Sequence, residues 1–144
     1  MGLCKCKAKT TTMAFSNKHS NIYKKWLQYA EADLEVAQMI YRSAIRKKQV
    51  NWPVYMLIIW HCQQVVEKML KMVILLKGKE LPYIHDLPRL LAISEIEDFP
   101  PEFEHFIDEL THYYIKPRYP DLPATKSYPK ANKQIAQEYV HKTL

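Results

Sequence analysis

The sequence predicts an all-α fold, a four- to five-helix up-and-down antiparallel bundle, on three observations. Two long segments repeat apolar residues at three- and four-residue steps, the period of one helix face. No segment alternates apolar with polar residues as a half-buried strand does. The 144 residues hold only two glycines, Gly2 and Gly78, which favours long elements joined by short connections. The length suits one domain, and the sequence shows no internal repeat.

Residues 1–20 are rich in Lys, Thr and Ser and have little to bury, so they read as a disordered basic extension before a helical domain at 21–144. Met13 is a second candidate start for the folded part. A first helix is expected from Asn21 to about Arg46. Trp26, Ala30, Leu34, Ala37, Tyr41 and Ala44 form its inner stripe, while Glu31, Asp33 and Glu35 are expected in water. The run Lys47 to Asn51 is a connection, with Asn51 the expected cap and Pro53 in the first turn of the next helix. That second helix runs from about Trp52 to Lys77 and stops at Gly78. It is apolar almost all round, from Met56 through Ile58, Ile59 and Leu70 to Leu75, which places it at the centre of the bundle or at an oligomer interface.

A shorter helix is expected from Asp86 through Leu87, Leu90 and Leu91. A fourth follows Pro100 and Pro101, with Phe103, Phe106, Ile107 and Leu110 inward and Glu102 and Glu104 complementing its positive end. Residues 116–127 hold Pro117, Pro120 and Pro123 and read as an extended loop. Ser127 is the expected cap of a last helix toward Val140.

The net charge of +6 is uneven. Residues 1–20 carry four lysines and no acid, and residues 116–144 carry six Lys or Arg against two acids, so the surplus lies at the ends. Such ends attract anionic partners or serve as solvated tails. Cys4, Cys6 and Cys62 are too few for a disulfide framework, and no second pair completes a zinc site, so neither metal nor cofactor is expected. The most apolar stretch, Pro53–Trp60, is far short of the about 20 residues that cross a bilayer. No apolar signal region precedes Met13. The reading is a cytoplasmic protein without a membrane association.

Three constellations could carry chemistry. His61, Gln64, Lys68 and Lys71 form the one polar strip on the second helix. It reads either as a phosphate-facing strip or as the solvent edge of a core helix, with Glu67 paired to Lys71 one turn on. His85 and Asp86 precede the third helix. Asp86 is read as its cap, and His85 either sits at an anion site or fixes the loop. Arg118 and Tyr119 lie between Pro117 and Pro120, suited to fork onto a phosphate and stack on a base, or else Arg118 clasps Asp121. With Gly2 and Gly78 alone there is no glycine-rich phosphate loop.

Taken in order, Ala30, Asp33, Leu34 and Ala37; Gln64, Glu67, Lys68, Leu70 and Lys71; His85-Asp86-Leu87; and Arg118-Tyr119-Pro120-Asp121 resemble the small prokaryotic HEPN domain (higher eukaryotes and prokaryotes nucleotide-binding) over about residues 22–142. The resemblance implies a five-helix bundle, commonly a homodimer, working with nucleotide or RNA and often beside a minimal nucleotidyltransferase as a toxin–antitoxin pair. Many ribonucleases of this kind carry Arg, four to six residues, then His. Neither Arg42, Arg46, Arg89 nor Arg118 is followed by a histidine at that spacing. The first expectation is therefore a non-catalytic module binding through Gln64, Lys68, Lys71, His85, Arg118 and Tyr119. Its alternatives are a metal-independent ribonuclease using His85, His112 and Arg118, and a purely structural dimerisation protein.

Overall fold

The first long segment repeats alanine every seven residues, at Ala30, Ala37 and Ala44, and a helix stacks these three nearly above one another. In the computed structural model, which describes residues 17–114 and 131–144, all three are buried along the seam between two long antiparallel helices. Helix α1 spans Asn17–Ile45 and α2 spans Trp52–Leu76. Helix α1 starts four residues before the expected Asn21. Methyl-sized side chains at a helix contact let the axes approach toward the shorter end of the usual range of about 8–10 Å.

Helix α2 packs against every other helix, as its all-round apolarity requires. Ile58, Ile59 and Ile74 are completely buried, and burial of each such side chain contributes about 1.5–3 kcal/mol. The helix ends where Gly78 turns left-handed, at φ 70°. There the Gly78 N–H donates to Leu75 O at 2.9 Å and the Lys79 N–H to Ile74 O at 3.2 Å, closing the carbonyls of the last turn. At the other end Asn51 stands at the cap position, but its side chain makes no capping bond. Pro53 supplies the start signal there, since its ring presets the helical φ.

Three short helices close the bundle: α3 (Leu87–Ser94), α4 (Pro101–Thr111) and α5 (Lys133–Thr143). Asp86 caps α3 by accepting from the Arg89 N–H at 3.0 Å. The Leu87 N–H donates to Thr111 Oγ1 at 3.0 Å, which ties the start of α3 to the end of α4. On α4, Phe106, Ile107 and Leu110 are buried as expected. Phe103 is 39% exposed instead. It stands in the first turn, past the edge of the core, and packs edge-on against Phe99 with ring centroids 6.0 Å apart. The cap of α5 is Asn132, accepting from the Ile135 N–H at 3.0 Å. Ser127, the expected cap, lies outside the described residues, and so does the stretch 116–127 that is expected to be an extended loop. Among the described residues there is no strand, and no helix is long and apolar enough to cross a membrane.

Candidate functional site

The polar strip of α2 is not a wet edge. Helix α1 lies over it, and three of its four polar side chains bond to carboxylates, His61 and Lys68 to Asp33 and Lys71 to Glu67. Asp33 makes the crossing. It follows Ala30 by three residues and precedes Ala37 by four, so it shares their face, and the close approach at those alanines lets its short side chain reach α2. The Asp33 carboxylate accepts from Nδ1 of His61 at 2.9 Å and from Nζ of Lys68. Its side chain is only 15% exposed, which overturns the expectation that Asp33 faces solvent.

A second carboxylate, Glu67, anchors the other half of the strip. It accepts from Lys71 Nζ at 2.8 Å, from Gln63 Nε2 at 3.1 Å and from His85 Nδ1 at 2.9 Å. Glu67 and Lys71 are 6% and 7% exposed, so their pair is buried, not a surface pair between turns. Lys71 also lies 5.7 Å from the centroid of the Trp26 ring on α1. Amides join the two halves: Lys68 donates to Gln64 Oε1 at 3.4 Å, and Gln64 Nε2 donates to Gln63 Oε1 at 2.6 Å. The result is one continuous chain of hydrogen bonds from His61 through Asp33, Lys68, Gln64, Gln63 and Glu67 to His85.

Burial alone pushes the Asp33 carboxyl up, but hydrogen bonds from His61 and Lys68 outweigh it and hold the group below its ordinary value. Glu67 behaves alike: burial raises it, and the bonds from Lys71 and Gln63, the Lys71 charge and the His85 bond bring it below the usual range. Both groups are therefore ionised at neutral pH. An ionised carboxylate only accepts, so each histidine offers its Nδ1–H to its carboxylate and keeps Nε2 as the other ring nitrogen.

His85 is the open end of the chain, at 48% exposed. Its ring stacks on Tyr114, centroids 4.2 Å apart and planes 14° from parallel. The Leu87–Thr111 bond holds the loop in register for this stack. Of the six expected binding residues, the structure thus brings Gln64, Lys68, Lys71 and His85 onto one network, while Arg118 and Tyr119 lie outside the described residues. His112 stands at the C-terminal cap of α4, exposed and apart from this network. Asp33, Glu67, Gln63 and Tyr114 are the members that sequence reasoning missed as site residues.

Chemically the network can position an imidazole and present donors at its rim, with each lysine charge balanced by a carboxylate. Among the described residues no group of three or more His, Cys, Asp or Glu is placed to hold a metal ion. The buried Cys62 thiol is pushed up to about 12 by desolvation, which makes it unreactive.

The family model of the HEPN domain matches residues 23–143. The chain belongs to the HEPN family. This HEPN domain is similar to a solved structure, the crystal structure of TT1696 from Thermus thermophilus, at 27% identity and a TM-score of 0.66, over 84% of this chain and 89% of that one. A comparison with curated proteins gives no match. The network described above lies wholly within the matched span, and membership makes the chain a helical module of the nucleotide- and RNA-associated kind.

Proposed function

We propose that this HEPN module is non-catalytic and binds the phosphates of a nucleotide or RNA at the rim formed by Gln64 and His85, with Arg118 and Tyr119 as further ligands. Lys68 and Lys71 act from beneath, where they balance the charges of Asp33 and Glu67, and Glu67 holds the His85 ring. The module works as a homodimer in the cytoplasm beside a minimal nucleotidyltransferase, in the manner of a toxin–antitoxin pair.

One observation carries the non-catalytic part. RNA cleavage without metal relies on preorganised donors, cations above all, to meet the charge that builds on a phosphorane. Lys68 and Lys71 are each bonded to a carboxylate, so neither charge is free, and no arginine precedes a histidine at the ribonuclease spacing. The exposed, carboxylate-held His85 ring supports recognition at the rim. Titration with nucleotides and with RNA at two salt concentrations tests the reading. Binding that weakens with salt and falls in the His85→Ala and Arg118→Ala variants is expected. Binding that neither variant alters rules this rim out.

The orientation of His85 by Glu67 favours a second reading, a metal-independent ribonuclease with His85 or His112 as the proton-transfer group and Arg118 as the cation. Incubating the pure protein with RNA in EDTA separates the two. Intact RNA is expected, whereas cleavage abolished by His85→Ala would establish the ribonuclease.

A further inference from the structure

The sequence has no Asp or Glu between Glu35 and Glu67, yet it places Arg42, Arg46, Lys47 and Lys48 in that span. The fold gathers these four cations at one tip of the bundle, where α1 ends and turns into α2. All four are exposed, and among the described residues none forms an ion pair. Arg42 donates to Gln38 Oε1 at 3.3 Å, and Arg46 Nε folds back onto the Arg42 carbonyl at 3.0 Å. This second contact complements the negative end of α1, but it leaves the guanidinium's other donors and its charge available. Lys68 and Lys71, by contrast, are spent on carboxylates within the core.

The tip is also concave. An open cleft of about 510 Å³ runs between the end of α1 and the start of α2, lined by Met39, Ser43, Lys47, Gln49, Asn51 and Val54 among others, with no carboxylate. Its walls offer amide donors and acceptors from Gln49 and Asn51. The opposite charge collects elsewhere. From Glu95 to Glu109 the chain carries acids at 95, 97, 98, 102, 104, 108 and 109 and no Lys or Arg. A polyanion is repelled from the α3–α4 side and drawn to the tip.

We propose that the α1–α2 tip is a second nucleic-acid site, binding the backbone of single-stranded RNA through Arg42, Arg46, Lys47 and Lys48, with a base lodged in the cleft against Gln49 and Asn51. It is separate from the His85 rim and stands whether or not that rim binds a nucleotide. Cations for phosphates and amides for base edges are what single-strand recognition uses.

The test is fluorescence anisotropy of the full chain with a short labelled oligouridylate across a salt series. Single-stranded binding weakens with salt by a log–log slope of about 0.7 for each phosphate neutralised. The quadruple variant Arg42→Gln, Arg46→Gln, Lys47→Gln, Lys48→Gln should therefore flatten the slope by about 2.8, and the Lys47→Gln, Lys48→Gln pair alone by about 1.4. Lys24→Gln with Lys25→Gln removes two exposed charges from the far end of α1 and should leave slope and affinity nearly unchanged. In a His85→Ala background, which removes the rim's share of binding, the quadruple variant should still flatten the slope by about 2.8, so a failure of the rim and a failure of the tip read differently. Circular dichroism confirms that each variant folds; all changed side chains are exposed. An unaltered slope in the quadruple variant overturns the proposal. An equal loss in the Lys24, Lys25 variant does so too, because it reports overall charge. Binding to phosphatidylserine vesicles without binding to the oligonucleotide also overturns it, and would make the tip a membrane contact.

Discussion

Replacing Glu67 by Gln keeps the side chain's volume and removes its charge, leaving Lys71 as an unmatched cation in the core. At the 2.8 Å separation of the pair, the attraction in an effective dielectric of 20 is about 6 kcal/mol. In the folded protein this offsets a desolvation cost of several kcal/mol for each ion. With the carboxylate gone, the Lys71 part of that cost has no counterweight, and the one amide oxygen that remains cannot serve Lys71, His85 and Gln63 as two carboxylate oxygens do. Breaking a buried pair by removing one partner costs about 3–5 kcal/mol, against a total stability of about 5–15 kcal/mol for a domain. Urea denaturation should show the midpoint falling accordingly, and the melting temperature should drop by about 10–20 °C. Changing both partners together, Glu67→Leu with Lys71→Met, removes the buried charges and should return stability to within about 2 kcal/mol of the parent. The pH dependence supplies a third measurement. The folded pKa of Glu67 lies below its unfolded value. The unfolded chain therefore takes up protons first as pH falls below about 4.3, and the stabilisation present at neutral pH is lost as pH drops through the folded value. Glu67→Gln should lack that part of the acid sensitivity. A melting temperature within about 2 °C of the parent, or a double variant as unstable as the single one, refutes the claim that the pair is a buried, matched unit.

Other outcomes follow from the same geometry. Asp33→Asn removes the charge and leaves one amide oxygen for the two donors His61 and Lys68, and should cost about 1–3 kcal/mol in urea denaturation, with most of the loss at neutral pH and little below the carboxylate range, because the Asp33 pKa is also depressed. Asp86→Ala removes the α3 cap and should cost about 1 kcal/mol. Because that cap anchors the loop holding His85, amide exchange should quicken from 83 to 90. Cys62 is fully buried with its thiol pushed up to about 12, so a thiol reagent should label it only on unfolding, at a rate that Glu67→Gln accelerates.

The fold was legible because helical periodicity is a local signal. The stripe from Trp26 to Ala44 and the apolar ring of α2 each constrain one element, and together they leave little but a bundle. The Asp86 cap was legible for the same reason, since it bonds three residues ahead. The site was legible only in part. Glu67 and Lys71 were readable as a pair one turn apart, but whether water or protein surrounds them depends on α1 and the 83–86 loop lying across α2, and no window of α2 contains that information. Asp33 did leave a signal, its spacing of three and four from two buried alanines. Its residue type alone predicts a solvent-facing side chain, because acids usually face water. Phe103 failed the other way: its spacing is inward, but the helix outruns the core.

The seven-residue alanine repeat of α1 does more than bring two helices together. Asp33 has a single methylene to span the gap, so the distance at Ala30 and Ala37 decides whether its oxygens touch His61 and Lys68 or only water. Enlarging Ala37, for example to Leu, acts as a wedge: it pries α1 away, admits solvent and raises the local dielectric around both carboxylates, without altering one charged residue. The electrical character of this seam is thus written in methyl groups, and drift at those apolar positions could retune it while every ionisable side chain stayed the same.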